Sequence, residues 1–235
     1  MIVLQKITDK NKLKYYIDKY NIKDMFLKDM TEHMELYMFD KNEYICKSKE
    51  RLEYFYFLVK GKTKVYLLLK NGKSLLLRFY KPLSIIGDVE IVSDNYTHSN
   101  VQVVEKALCV CIPMKILRQF ALDDTLFLRY IINSLGDKLD KNSKVSSINL
   151  LYPLENRLAS YLLAVSSSKE EWSDTINGIS TDKLTEMADL LGSSYRHLHR
   201  TINKLCSDGI IKKDKNSIII LDGEALEKLA GDIYE

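Results

Sequence analysis

The sequence predicts an α+β chain in three parts. An N-terminal roll of short strands covers residues 1–123, a long helix with a hinge covers 124–152, and 153–235 hold three short helices followed by a β-hairpin. Three observations predict this. Between about 35 and 112 apolar residues come in short β-rich runs with no helical spacing between them. From 124 to 151 no proline interrupts a pattern of steps of three or four. After Pro153 helical segments are followed by the strand-like runs Gly209-Ile210-Ile211 and Ile218-Ile219-Ile220-Leu221.

Leu13, Tyr16, Ile17 and Tyr20 stand at i, i+3, i+4, i+7, which predicts a helix over 11–20. The strand-like runs are 54–59, 64–69, 74–79 and 108–112, with Gly61-Lys62, Asn71-Gly72 and Pro82-Leu83-Ser84 as the breaks. Asn71-Gly72 between two apolar runs is a strong hairpin signal, because both residues tolerate positive φ. A short helix is predicted over 114–121. In the long helix Leu128, Ile131, Leu135, Leu139, Asn142, Val145 and Asn149 form a coiled-coil-like seam, and a buried Asn142 would fix register and partner number. That seam joins two copies of the chain or packs on the chain's own roll. Pro153 disfavours helix at Tyr152 and is suited to open the next helix, 154–165. A polar loop follows over 166–178.

Residues 182–205 carry the sharpest signal. Leu184, Met187, Ala188 and Leu191 give one helix an apolar face; Gly192 can end it, and Ser193 or Ser194 can cap the next. That next helix sets Leu198, Thr201, Ile202 and Leu205 on one face and Tyr195, Arg196, His199, Arg200 and Asn203 on the other. Two short helices joined by a glycine turn, the second presenting donors outward, read as a helix-turn-helix. Arg196 and Arg200 stand one turn apart and could both reach guanine edges in a major groove. Tyr195 and His199 complete the base-reading set. Lys183, Thr185, Ser193, Ser194 and Lys204 suit phosphate, as do Lys212, Lys213 and Lys215 on the hairpin, which reads as a wing.

Charge gives a mixed answer. Residues 1–150 hold 25 Lys/Arg against 18 Asp/Glu, whereas 151–235 hold 10 against 14, so the half assigned to DNA is acidic overall. Residues 195–215 alone hold 6 Lys/Arg against 2 Asp/Glu. Phosphates respond to the charges that reach them, so the local count weighs more. The competing class is a small-molecule sensor or interaction module whose winged helix binds protein.

Gly87-Asp88, the long helix, the run Leu190-Leu191-Gly192-Ser193-Ser194-Tyr195-Arg196, and the Lys-Leu-(x)3-Gly-Ile-Ile run at 204–211 resemble the Crp/Fnr superfamily of transcription regulators. The run Ser194-Tyr195-Arg196-His197-Leu198 is most similar to its YeiL-like branch. The resemblance spans about 30 to 221. It implies a cyclic-nucleotide-binding-type β-roll (a double-stranded jelly roll), a dimer helix, and a winged helix on a palindromic double-stranded operator. It also implies that Tyr195, Arg196 and Arg200 fall on base-reading positions. The acidic residue the family usually carries after the first of these is absent, since Arg196 stands there. An activator would need a surface for RNA polymerase, for which the 166–178 loop and the Asn71-Gly72 tip are candidates.

For the roll the resemblance implies an effector pocket around Gly87, Asp88, Glu90, His98 and Ser99. The cyclic-AMP branch carries Gly-Glu and, ten residues on, Arg-Ser; here Gly87-Asp88 and His98-Ser99 stand there. A histidine cannot match the permanent bidentate charge of arginine on a phosphate, and Asp88, Glu90 and Asp94 would repel an anion. The reading is therefore against cyclic AMP, with an unidentified small effector or none at all both open. The N-terminal cysteines of the oxygen-sensing branch are absent before Cys46, which argues against an iron–sulfur cluster. Cys109 and Cys111 share one strand face, where inert packing competes with a redox or metal role.

Other classes fit poorly. His197 and His199 sit two apart on a helix, a turn of about 200°, so they cannot share a metal. No phosphate-cradling glycine loop, zinc motif or nucleophile elbow occurs, so an enzyme is not expected. The sequence has no membrane-length apolar run and no export signal at Met1-Ile2-Val3-Leu4-Gln5-Lys6, and the cytoplasm is the expected location.

Overall fold

A computed structural model describes residues 5–93, 96–166, 179–180, 184–214 and 217–231. The chain divides into two compact units: residues 1–67 with 79–142, and residues 68–78 with 143–235.

The first unit opens with β1 (Gln5–Ile7) and α1 (Lys10–Lys19), whose N-terminus is capped by the Asp9 carboxylate accepting from Lys12 N–H. The roll follows, with residues 74–78 of its β5 counted in the second unit: β2 (Glu35–Phe39), β3 (Tyr44–Cys46), β4 (Tyr54–Leu68), β5 (Ser74–Tyr80), β6 (Ser84–Ile86), α2 (Asp88–Ser93) and β7 (Asn100–Pro113). The strands lie in the order β1-β2-β7-β4-β5, with β3 on β7 and β6 on β4. The 14-residue β7 is the spine, antiparallel to β2, β3 and β4.

Both faces of β4 and β7 are buried, which explains their unbroken apolar runs. On one face Phe55, Phe57 and Val59 of β4 and Leu108, Val110 and Ile112 of β7 belong to a core shared with helices. Those helices are α1, α2 through Ile91, α3 (Met114–Ala121) and α4 (Thr125–Leu151). Phe127 of α4 stacks on Phe26, with ring centroids 4.8 Å apart, and meets Phe55 edge-on at 5.8 Å. On the other face Phe39, Tyr56, Leu58, Cys109 and Cys111 are buried too.

The break expected at Gly61-Lys62 is not a turn. β4 runs through it as one strand, with register shifts against β7 around Lys60 and Lys62. Gly61 sits at φ 88° against the backbone of β7, where a Cβ would collide with the Lys106 carbonyl oxygen. The glycine marks a bulge with close backbone approach, a use that resembles a turn in sequence. The Asn71-Gly72 hairpin forms: Gly72 N–H donates to Leu69 O and the Asn71 side chain accepts from Lys73 N–H.

α4 is capped by Asp124, whose carboxylate accepts from Leu126 and Phe127 N–H and, with its other oxygen, from Leu27 N–H. The helix carries two parallel stripes. Phe127, Ile131, Ser134 and Lys138 face the roll, Phe127 and Ile131 in its core and the other two bonded to Asp88. Beside them run Leu128 and Leu135, half-buried, and Ile132 and Leu139, 67% and 69% exposed. The expected seam is corrected accordingly: Ile131 belongs to the chain's own core and Leu135 packs against that core, whereas Ile132 takes its place on the outer stripe. Steps of three and four fit both stripes, so periodicity alone could not separate them. Asn142 is exposed, and the side chains of Val145 and Asn149 lie outside the described residues.

The second unit contains α5 (Leu154–Val165), β8 (Ile179–Ser180), α6 (Leu184–Leu190), α7 (Tyr195–Ser207), β9 (Ile211–Asp214), β10 (Ser217–Ile220) and α8 (Gly223–Ala230). Pro153 stands at the N-cap of α5, as its fixed φ suits. α8 packs on α5, and Asn156 donates its side-chain N–H to Leu229 O at 2.9 Å. The strands order β8-β10-β9, both pairs antiparallel.

Candidate nucleic-acid interface

α6 and α7 meet at Gly192, which takes φ 61°. That left-handed residue lets the chain leave α6 with Gly192 N–H on Asp189 O and Ser193 N–H on Ala188 O. Ser194 then caps α7, its hydroxyl accepting from His197 N–H. The turn is held from α5: the buried Arg157 guanidinium donates to Leu191 O. Behind α7, Leu198, Ile202 and Leu205 are fully buried and Thr201 nearly so. In front, Tyr195, Arg196 and Arg200 are exposed and His199 is half-buried. The His199 ring lies 6.0 Å from that of Tyr195, and its Nδ1 is 3.3 Å from Asn203 Nδ2. The helix thus presents a cationic and aromatic face in water while its apolar face fixes its orientation.

The residues expected on phosphate divide. Thr185, Lys212 and Lys213 are exposed. Lys204 is exposed but pairs with Glu155 of α5 at 2.6 Å, so its charge is shared. The Ser194 hydroxyl serves as the cap on an exposed residue, and among the described residues the Ser193 hydroxyl is buried without a hydrogen-bond partner. Lys183, Lys215 and most of the 166–178 loop lie outside the described residues. The wing is the β9–β10 hairpin, with Ile211 and Ile218 buried beneath the two lysines.

In the roll, the five residues expected around an effector pocket have different surroundings. Gly87 and Asp88 are buried, Glu90 and Ser99 half-buried, and His98 exposed. Asp88 is occupied from within the chain. Lys138 of α4 donates to it at 2.7 Å, Ser134 donates at 3.1 Å, and Lys138 also reaches Ile85 O at 3.0 Å. Burial favours neutral Lys138, but Tyr80 and Asp88 beside it outweigh that and raise its pKa. Glu90 lines a separate open pocket of about 470 Å³ with Arg51, Leu52, Met114 and Arg118, and burial raises its pKa. The Arg118 guanidinium donates to Glu90 O. Burial pushes the Cys46 thiol up to about 12 and raises those of Cys109 and Cys111 well above the ordinary thiol value, which makes all three poor nucleophiles and ligands. Among the described residues no group of three His, Cys, Asp or Glu side chains is placed to hold a metal, and no helix is long and apolar enough to cross a membrane.

Residues 38–124 match the family profile described as a cyclic nucleotide-binding domain, and 156–229 match that of a Crp-like helix-turn-helix domain. Over 208 residues the chain is 32% identical to the regulatory protein YeiL of Escherichia coli O157:H7, covering 88% of this chain and 91% of the relative. The chain belongs to the Crp/Fnr family of transcriptional regulators. Solved structures agree on the fold. A Crp/Fnr-family regulator from Eubacterium rectale superposes with a TM-score of 0.71 at 16% identity, covering 94% of each chain. A CRP-family regulator from Thermus thermophilus gives 0.65 at 22% identity, covering 84% of this chain and 98% of that one.

In this Crp/Fnr regulator the helix-turn-helix match runs from α5 into α8, and the α+β architecture expected from sequence is the one observed. Sequence reasoning missed Arg157 and Glu155, which hold the turn and Lys204 from α5, and it missed Lys138 and Ser134. One signal was available for Lys138: it is the lone charge at a step of seven from Ile131 on the inward stripe of α4.

Proposed function

We propose that this regulator is a homodimer that reads a palindromic duplex operator, α7 of each copy entering the major groove. One observation carries the reading: Arg196 and Arg200 stand exposed one turn apart on a helix whose opposite face is buried. Two guanidinium groups at that spacing suit guanine O6 and N7. Tyr195 and His199 flank them, and Lys212 and Lys213 on the wing suit the adjacent backbone. Thr185 suits backbone too, as do Lys183 and Lys215 by sequence. The dimer forms along the outer stripe Leu128, Ile132, Leu135 and Leu139, whose two exposed members leave apolar surface for a second copy. A dimer of this kind places its half-sites about 34–36 Å apart. The roll answers to neither cyclic AMP nor an iron–sulfur cluster, and contact with RNA polymerase is made from the same protein when it activates.

The test is selection of bound duplexes from a random pool with purified protein. The expected product is an inverted repeat bound more weakly as salt rises. A pool that yields no enriched sequence, or binding indifferent to salt, overturns the reading.

A further inference from the structure

Asp88 is a buried carboxylate that accepts from Lys138 and Ser134 of α4. Its side chain is 3% exposed and that of Lys138 is 17% exposed, with both carboxylate oxygens 2.7 Å from the ammonium. Ser134, one turn before Lys138, donates to the same carboxylate. Lys138 also donates to Ile85 O and lies 5.0 Å from the centre of the Tyr80 ring. β6, the start of α2 and the end of β5 therefore converge on one ammonium. A charge pair this deep persists only when its hydrogen bonds are satisfied on both sides, and removal of one partner leaves a charge stranded.

The place of the pair along α4 matters. Phe127, Ile131, Ser134 and Lys138 form the inward stripe, and the next apolar residue, Leu139, is 69% exposed. A polar ligand seeking Asp88 would have to displace an ammonium already bonded to both oxygens of the carboxylate.

We infer that Lys138 is the roll's built-in ligand: its ammonium occupies Asp88 and fastens α4 to the β6–α2 corner, so that the dimer helix is set without any small molecule. The tie itself is independent of DNA; its consequence, ligand-free operator binding, rests on the function proposed above.

The experiment uses full-length protein and two variants, Lys138→Met and the neutral double variant Asp88→Asn with Lys138→Met. Methionine keeps the apolar stem and asparagine the shape, so the double variant removes the tie without a stranded charge. The readout is amide hydrogen exchange over residues 132–142, with circular dichroism to confirm folding. Exchange there is expected to rise by about tenfold or more in both variants, while α1 and β7 stay protected. Wild-type exchange in the double variant would overturn the inference, because the pair would then only offset its own burial. In the second arm, wild-type protein is unfolded, stripped of small molecules by dialysis, refolded, and titrated with the selected operator. Affinity is expected to match that of untreated protein and to change by less than about twofold with cell extract. Binding that appears only with extract overturns the built-in ligand and leaves the DNA reading standing. If the selection yields no operator, the DNA reading fails and the exchange arm alone decides the tie.

Discussion

The roll and the winged helix treat charge in opposite ways. In the roll, Asp88 and Lys138 are drawn inside and spent on each other, and three of the four thiols are sealed in the interior. On α7, Arg196 and Arg200 are left in water on a scaffold that buries only the far side of the helix. The first region uses polar groups to hold a shape; the second holds a shape so that polar groups can be used. Mutations should therefore separate: interior changes in either unit act on stability, and changes on the face of α7 act on binding alone.

The largest effects test whether each region has its own core. Phe57 in β4 and Leu198 in α7 are both 0% exposed. Phe57→Ala is expected to cost about 3–5 kcal/mol and Leu198→Ala about 2–5 kcal/mol, each measured by denaturant unfolding. Hydrogen exchange then reports where the loss falls. Phe57→Ala should loosen β7 and α4, and Leu198→Ala should loosen α6 and α7. Loss spread evenly over both units in either variant would break the comparison.

Next in size are Arg196→Ala and Arg200→Ala. Each is expected to lose about 1–3 kcal/mol of operator binding with an unchanged unfolding midpoint, read by fluorescence anisotropy and a melt on the same sample. Discrimination should relax at one base position per arginine. A variant that loses stability in step with affinity would move that arginine from the binding face to the scaffold.

Ser194→Ala probes the boundary between the two classes. The hydroxyl caps α7 through His197 N–H, so about 1 kcal/mol of stability is expected to go. Operator affinity should follow only through that loss, and Ser194→Asp, which can still cap, should restore the midpoint. A drop in affinity with the midpoint intact would return Ser194 to the phosphate contacts.

The contrast also explains what was legible in the sequence. α7 declared itself because exposed and buried residues alternate on a single helix, a local pattern with one period. The Asn71-Gly72 hairpin was equally local. The pair Asp88–Lys138 spans 50 residues, and no local pattern announces a carboxylate on α2 and an ammonium on α4 as partners. The same holds for Arg157, which holds the carbonyl of Leu191 across 34 residues. Gly61 was read as a turn because the need for a missing Cβ is the same in a turn and a bulge. The seam on α4 took in Ile131 instead of Ile132 because steps of three and four fit either residue and only the roll's position distinguishes them. α8, with its Asp222 cap, is short, and its two buried residues, Leu226 and Ala230, make a weak period.

The smallest expected effects lie within the lysines, and they sharpen the comparison most. Lys212 and Lys213 are exposed on the wing, whereas Lys204 is held at 2.6 Å by Glu155. The Glu155 carboxylate raises the Lys204 pKa, so the ammonium stays charged but already has an anion beside it. A lysine on phosphate releases condensed counterions, and its removal from both copies of the dimer flattens the plot of log affinity against log salt by about 1.8. Lys212→Ala and Lys213→Ala are each expected to show that change, with little loss of sequence preference. Lys204→Gln is expected to show less, since a phosphate must first compete with Glu155. Glu155→Gln supplies the control: once released, Lys204 becomes available to the backbone and the slope should steepen. A Lys204→Gln slope change equal to that of Lys213→Ala, with no response to Glu155→Gln, would mean that the ion pair opens on DNA at no cost and that the charges of the winged helix are all outward, Lys204 included.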